Sequence, residues 1–530
     1  MMALYQNNSC WIVTGGQRHA GFGITTGVRQ GCPISPLIFV IAADLLLRRV
    51  GRLFPTVTAR AYADDLAFVV HNLQEVIGGL ARLFTDYSLI SGLKLNIPKC
   101  VVMPLILNAI RNIEGRLNDT GSWAGMAVRY SGEYLGFFLG PEAGDRTWEK
   151  PLRKMTERAK DWVKVGAGFQ VTLLAAKIYI FSVAGFVAQI CPPPKEWKGT
   201  LLKITKTLFP GPRGWIAPGL LHDPSKIGFR GGLDDLDQLS LAARSRVYHF
   251  ENRKEGGLKV TSRLGELQLT LARAEDVEKQ AHWGEWFRTS ALHHLHAAVE
   301  HLQGVGLGRE QVRDQIRRND DEEDIESLEE KYRKKWQSTI RAGLRNATPD
   351  MSETFFRRKL DRWDIPLLKG RRAPRLTELI RRLRPLVQPR VLAAMLRTWF
   401  NGWCTSRRFQ KNGCCIFGCK QEDSIEHYAR CKVVEDYAFR HMHIHRNEGG
   451  SEESSKMANF LLLDRPVKDF TDDGLIRHAL RTATVHLAFC RATHGTRGRP
   501  TAESLMQLTN EIVRSSGLSA AAVSKAWHVQ

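Results

Sequence analysis

An α+β protein of several domains is expected from three features of the sequence. Short apolar runs alternate with helical periodicity up to about Leu105, the remainder is dominated by apolar residues at helical spacing, and four cysteines crowd between Cys414 and Cys431. With 530 residues, 43% of them hydrophobic, the chain can bury more than one core, and about two to four domains are expected.

Charge narrows the partners. Lysine and arginine number 77 against 55 acidic residues, leaving a net charge of +22. Such an excess attracts polyanions through a summed field, which favours nucleic acid over a membrane surface. The most apolar stretch, Ile178 to Ile190, follows Lys177, contains Ser182 and Gln189, and is too short to span a bilayer; it reads as a buried helix. Gln6, Asn7 and Asn8 stand where a secretory signal would need a continuous apolar run, so export is not expected.

The elements fall in order as follows. Residues 1–105 read as a mixed α/β unit. Residues 106–194 carry a short strand pair around Tyr134 to Leu139 and then long basic helical patterns, ended by Pro192, Pro193 and Pro194. Residues 195–410 read as helices interrupted by Gly- and Pro-rich turns. Residues 411–436 hold the cysteine cluster, and residues 437–530 are helical again.

Two segments of the first region carry chemistry. Tyr62-Ala63-Asp64-Asp65 lies between Val57-Thr58-Ala59-Arg60-Ala61 and Leu66-Ala67-Phe68-Val69-Val70, a hairpin pattern with two carboxylates at its tip. The pair reads either as a solvent-facing acidic turn or as a Mg²⁺ site able to reach nucleotide phosphates. Upstream, Gly27-Val28-Arg29-Gln30-Gly31-Cys32-Pro33-Ile34-Ser35-Pro36-Leu37 leads into a helix expected over Leu37 to Val50, with Ser35 as cap and Pro36 in the first turn.

Together these segments resemble the palm motifs of reverse transcriptases, especially those of non-long-terminal-repeat (LINE-type) retrotransposons. GVRQGCPISPLIF resembles the loop and helix that hold template and incoming nucleotide, and YADD the catalytic hairpin. Ser91-Gly92-Leu93-Lys94-Leu95-Asn96-Ile97-Pro98-Lys99-Cys100 resembles the next palm motif, and Tyr134-Leu135-Gly136-Phe137-Phe138-Leu139-Gly140 the primer-grip hairpin.

The resemblance implies a partial polymerase palm, a helical thumb and a helical C-terminal region. It implies RNA-directed DNA polymerase activity on an RNA template and a DNA primer or RNA–DNA hybrid, with two Mg²⁺ ions in a complete polymerase. Asp64 and Asp65 would bind Mg²⁺, Arg29, Gln30 and Gly31 would line the nascent base pair, and Lys99 would assist pyrophosphate departure. Tyr134, Leu135 and Gly136 would grip the primer. Lys99 reads equally as a solvated residue, and Gly136 as a simple bend. A nuclear or nucleocytoplasmic setting follows from the same resemblance.

One departure bears on catalysis. The family's upstream catalytic aspartate has no counterpart before Gly31, and Asp44 lies within the expected helix, so an N-terminally truncated enzyme is expected. The alternatives are a catalytically inactive RNA- or DNA-binding protein on the same scaffold, or a pseudogene fragment. No endonuclease segment is visible.

Farther along, Arg146, Trp148, Lys150, Arg153, Lys154, Arg158, Lys160, Trp162 and Lys164 read as a thumb-like nucleic-acid contact or as a solvated amphipathic helix. A basic run from Arg357 through Arg408, including Lys369, Arg371 and Arg372, could extend that track. The acidic block Asp321 to Glu330 reads as an exposed helix, and His293, His294, His296 and His301 as ordinary helix histidines.

Cys415, Cys419, His427 and Cys431, spaced Cys-x3-Cys-x7-His-x3-Cys, are expected to bind one structural Zn²⁺, because soft thiolates and an imidazole favour tetrahedral zinc. Cys414 competes with Cys415 for the first position. The segment also resembles the CCHC-type element that follows the polymerase in some non-long-terminal-repeat retrotransposon proteins, with Asp423-Ser424-Ile425-Glu426-His427-Tyr428 the most distinctive stretch.

Overall fold

The computed structural model describes residues 8–24, 31–105, 109–251, 257–273, 284, 286–318, 328–363, 372–444, 453–494 and 500–514. It divides into two compact units, residues 1–147 with 281–286, and residues 148–280 with 287–530.

The first unit opens with a β-hairpin, β1 (Asn8–Thr14) against β2 (Gln17–Ile24). Its turn is Gly15-Gly16, both at positive φ, as a two-residue turn matching strand twist requires. Helix α1 (Ser35–Leu53) follows, with Ile34 rather than Ser35 in the cap position and Pro36 in its first turn. The antiparallel hairpin β3 (Thr58–Tyr62) and β4 (Asp65–Val69) comes next, then helix α2 (Leu73–Ser91). Asn72 caps α2 by accepting the Gln74 amide at 3.1 Å, and Gly92 ends it in the left-handed region at φ 72°.

Beyond α2, β5 (Val101–Val102) pairs in parallel with β6 (Ala127–Val128) across helix α3 (Ile110–Asp119). A last hairpin, β7 (Gly132–Tyr134) and β8 (Phe137–Leu139), turns at Leu135 and Gly136, with φ of 51° and 82°.

The core of this unit is small. Leu46 and Val50 of α1 meet Val76, Leu80 and Phe84 of α2, with Leu117 and Trp123 closing it. The Phe84 ring stands edge-on to Phe68 of β4 at 5.9 Å and to Trp123 at the same distance, so the β3–β4 hairpin is anchored by one aromatic cluster. On α1 a second apolar stripe, Leu37, Val40, Ile41 and Leu45, is exposed.

The second unit is helical. Helix α4 (Arg146–Val163) reaches into it and buries Trp148, Met155 and Ala159, while Lys150, Arg153, Lys154 and Lys160 remain in solvent. Its apolar stripe recurs at helical spacing, so burial orients the basic face outward. Helices α5 (Leu236–Glu251), α6 (Ala291–Gly304) and α7 (Leu328–Ala347) pack together, with Trp336 of α7 fully buried and donating to Ser245 Oγ at 3.1 Å.

The larger core gathers α8 (Arg372–Leu386), α9 (Pro389–Trp399), α10 (Lys432–Met442), α11 (Asp472–His494) and α12 (Ala502–Arg514). Three of its buried tryptophans satisfy their indole donors: Trp399 to the Leu461 carbonyl at 2.8 Å, Trp363 to the Trp399 carbonyl at 3.1 Å and Trp403 to Thr398 Oγ1 at 3.0 Å.

The stretch expected as one buried helix from Ile178 to Ile190 is instead a succession of tighter and looser turns. A π-helical turn over Ala176–Ile180 is followed by 3₁₀ turns over Phe181–Ala184 and Val187–Gln189. The guanidinium of Arg158 takes the Tyr179 carbonyl and lies 4.7 Å from the centre of its ring, which draws that carbonyl away from a regular helical ladder. No described helix is long and apolar enough to cross a membrane.

Candidate active site and metal centre

The β3–β4 hairpin places Asp64 and Asp65 at its tip. Tyr62 pairs with Asp65 in register, leaving Ala63 and Asp64 as the two turn residues, and Ala63 takes φ 51°. The two-residue turn thus carries Asp64 beyond the last strand pair, to which Asp65 itself belongs. Both aspartates are exposed, and the Tyr62 side chain beside them is 68% exposed. Neither carboxylate is engaged by a lysine or arginine among the described residues, so two adjacent negative charges face solvent uncompensated. That donor chemistry suits a divalent cation, although no third carboxylate joins them in a metal-sized group among the described residues.

The other residues expected at this site are distributed around the same unit. Gly31 is exposed at φ 84° just before α1, and Arg29 and Gln30 lie outside the described residues. Lys99 closes a 3₁₀ turn over Ile97–Lys99 and is exposed. Tyr134, Leu135 and Gly136 form the end and turn of the β7–β8 hairpin. That hairpin is braced at its base: Arg146 donates to Ser131 Oγ at 2.6 Å and stacks on Phe138 at 4.4 Å, while Thr147 Oγ1 accepts the Phe138 amide at 2.9 Å. Asp44 lies within α1, ion-paired with Arg48 one turn along at 2.6 Å.

In the second unit, Cys415, Cys419, His427 and Cys431 converge, their ligand atoms all within 4.8 Å of one another. The Sγ atoms of Cys415 and Cys431 are 3.9 Å apart, and Cys419 Sγ is 3.0 Å from His427 Nε2. A tetrahedral zinc with Zn–S near 2.3 Å would set its sulfurs about 3.8 Å apart. The two sulfurs are therefore spaced for such an ion, while Cys419 and His427 stand closer than it would set them.

Local folding explains the convergence. Cys415 donates its amide to the Gln421 carbonyl, and Gly418, at φ 81°, returns its amide to the Cys415 carbonyl, making the tight loop that carries Cys419. Ser424 caps the short helix Ile425–Tyr428 by accepting the His427 amide at 3.1 Å, which aims His427 inward. Cys431 starts α10 and is fully buried. Cys414, by contrast, is exposed and bridges Glu422 through its backbone.

The Cys415 thiol is pushed up by its contact with Cys431 and by burial, and the same contact pulls Cys431 down.

Two supporting residues carry no ligand atom. Asp423 Oδ2 accepts the Ser406 amide at 2.7 Å and its Oδ1 accepts the Tyr428 hydroxyl at 2.7 Å, tying both ends of the loop together. Burial, then the bond to Asp423, raises the Tyr428 hydroxyl above its usual range. The DSIEHY stretch contains both, yet nothing in spacing alone separates a brace from a ligand.

The histidines of α6 form no ligand cluster among the described residues. Ser290 caps the helix by accepting the His293 amide at 3.3 Å, and burial, then the nearby Arg244 charge, lowers His294 to about 4. Of the acidic block, Asp321 to Glu326 lie outside the described residues, while Glu330 pairs with Lys334 one turn along α7 at 2.7 Å. Lys369 and Arg371 also lie outside them, as does the side chain of Arg372.

Residues 2–139 match the family model of reverse transcriptases (RNA-dependent DNA polymerases), a span that ends with β8. The match supports the reverse transcriptase family for this segment, and with it nucleotidyl transfer on nucleic-acid templates and primers, for which that family usually uses Mg²⁺.

Proposed function

We propose that the chain is the palm, thumb and C-terminal part of a retrotransposon RNA-directed DNA polymerase of the non-long-terminal-repeat type, working on nuclear or nucleocytoplasmic nucleic acid. The observation that carries this reading is the solvent-facing Asp64-Asp65 tip on a rigid hairpin inside the segment that matches the reverse transcriptase model. Asp64 and Asp65 would hold Mg²⁺, which lowers the cost of charge on the transferring phosphoryl group. Arg29, Gln30 and Gly31 would position the nascent pair, Lys99 the departing pyrophosphate, and the Tyr134-Leu135-Gly136 turn the primer backbone. Cys415, Cys419, His427 and Cys431 would hold a structural zinc that ties the second unit's loop in place.

Primer extension on an RNA template with Mg²⁺ tests this. The wild-type chain should extend the primer, and Asp64→Ala should lower the rate at least roughly a thousandfold, because each ~1.4 kcal/mol of lost transition-state stabilisation costs tenfold. A second reading, a nucleic-acid-binding protein without polymerase activity, is favoured by the absence of a third carboxylate beside Asp64 and Asp65 among the described residues. Binding of RNA–DNA hybrid without extension by either protein would select it.

A further inference from the structure

A cavity of about 590 Å³ in the second unit lies between the turn over residues 224–230 and one face of α8, and nothing in the polymerase reading uses it. Four cations line it: Lys226 and Arg230 from the turn, Arg381 and Arg384 from the helix. No carboxylate is among its lining residues.

Three of the four charges are not neutralised from nearby. Lys226 reaches Asp350 at 3.1 Å, whereas Arg230, Arg381 and Arg384 have no side-chain hydrogen bond or ion pair among the described residues. Their neighbour Arg382 shows the opposite behaviour: it points its guanidinium into the protein, onto the carbonyls of Val467 and Phe470 and the carboxylate of Asp472. The helix therefore separates a structural arginine from two that are left facing the cleft. Thr377, Arg381 and Arg384 stand four and three residues apart, which puts them on one face.

The facing turn is built to hold its shape. Gly228 sits at φ 83°, and a Cβ there would meet Leu392 Cδ2 of α9 at 2.6 Å and Ile380 Cγ2 of α8 at 3.1 Å, so glycine lets the turn lie this close to both helices. The Gln170 side-chain amide clamps the Arg230 backbone on both sides, donating to its carbonyl at 2.8 Å and accepting its amide at 3.0 Å. A rigid turn opposite a rigid helix keeps three like charges converging on one opening. Their mutual repulsion is unfavourable unless an anion enters, and the planar fork of a guanidinium matches a phosphate in two hydrogen bonds.

We infer that this cleft is a docking groove for the phosphodiester backbone of single-stranded nucleic acid, with Arg230, Arg381 and Arg384 each taking a phosphate. The groove is too small to admit a duplex, and its cations contact backbone rather than bases, so it holds a strand without reading sequence. The inference rests on the reading that this chain handles nucleic acid, but it does not depend on Asp64 or on polymerisation.

The test uses the full chain and mixed-sequence single-stranded RNA and DNA oligonucleotides, with binding measured by fluorescence anisotropy across a salt series. For single strands the slope of log affinity against log salt is about −0.7 per phosphate contact, so R230Q/R381Q/R384Q should flatten it by about 2 and weaken binding roughly tenfold or more at low salt. Each single substitution should flatten it by about 0.7. A charge-matched control, K331Q/K334Q/K335Q on α7, should leave the slope nearly unchanged, and circular dichroism should show the variants folded.

Equal flattening in control and cleft variant, or none in the cleft variant, overturns the groove. So does binding of inorganic tripolyphosphate, lost in the cleft variant, without any binding of RNA or DNA, since that is a free-phosphate site. Asp64→Ala should keep the wild-type slope. If no protein extends a primer yet the cleft variant alone loses slope, the polymerase reading fails while the groove stands.

Discussion

Replacing His427 by alanine, or Cys415 by serine, should remove one zinc per chain, and the geometry sets the scale of the effect. Cys415 Sγ and Cys431 Sγ already stand 3.9 Å apart, against about 3.8 Å across a tetrahedral zinc. Only the Cys419–His427 side, at 3.0 Å, must open by about half an ångström for Zn–S near 2.3 Å and Zn–N near 2.0 Å. Because Asp423, Ser424 and the Cys415–Gln421 backbone bond hold the loop in shape, most of the binding energy should appear as affinity rather than as folding. At a thousandfold excess of free zinc over its dissociation constant the folded state gains about 4 kcal/mol. Metal analysis should find one zinc in the wild type and in Cys414→Ser, and close to none in His427→Ala and Cys415→Ser. Zinc-edge absorption should show three sulfurs and one nitrogen, and calorimetry with chelator should lower the second unit's melting temperature by several degrees. Full zinc in His427→Ala, or a metal-free wild type that folds and melts identically with and without zinc, refutes the reasoning.

Acid should weaken the second unit through His486, whose burial and the nearby Arg397 charge lower its pKa to about 3. The unfolded chain, with a histidine near 6.5, binds the proton more readily, so stability is full above pH 6.5 and falls as pH drops toward 3; at pH 5 the loss is about 2 kcal/mol. His294, lowered to about 4 in the same unit, adds a similar loss, so urea melts at pH 7 and pH 5 should differ by about 4 kcal/mol and His486→Gln should remove about half of it; an undiminished difference in that variant would assign it elsewhere. Gly228→Ala should cost roughly 2–4 kcal/mol from its positive φ and the 2.6 Å approach to Leu392. Gly219→Ala, in a short helix with nothing near its Cβ position, should be neutral or slightly stabilising in the same melts. Equal losses at both glycines would contradict this account.

What could be read from the sequence depended on how far apart the cooperating residues stand. The β3–β4 hairpin is legible because strand alternation, turn and carboxylates lie within a dozen residues, and the cysteine and histidine cluster because its ligands recur at short intervals. Cys415 was the expected ligand with Cys414 its competitor, and spacing alone did not separate them: adjacent positions differ in which way the loop faces, and that is decided by Gly418 and the Gln421 carbonyl. The Ile178–Ile190 stretch misled for a similar reason. Its apolar pattern is helical, but the Arg158 side chain, twenty residues upstream, claims the Tyr179 carbonyl and breaks the ladder.

The cationic groove shows the same principle at its limit. About a hundred and fifty residues separate Lys226 and Arg230 from Arg381 and Arg384, and α8 contains further arginines, so charge density along the chain does not identify which ones are left free. Arg382 is spent on two carbonyls and Asp472, and only the fold distinguishes it from Arg381 and Arg384 on either side. A net charge of +22 favours polyanions as partners of the chain. Where a strand can be held is decided by which guanidiniums the packed core leaves without an internal partner, because those alone can exchange a water shell for a phosphate without breaking a protein contact.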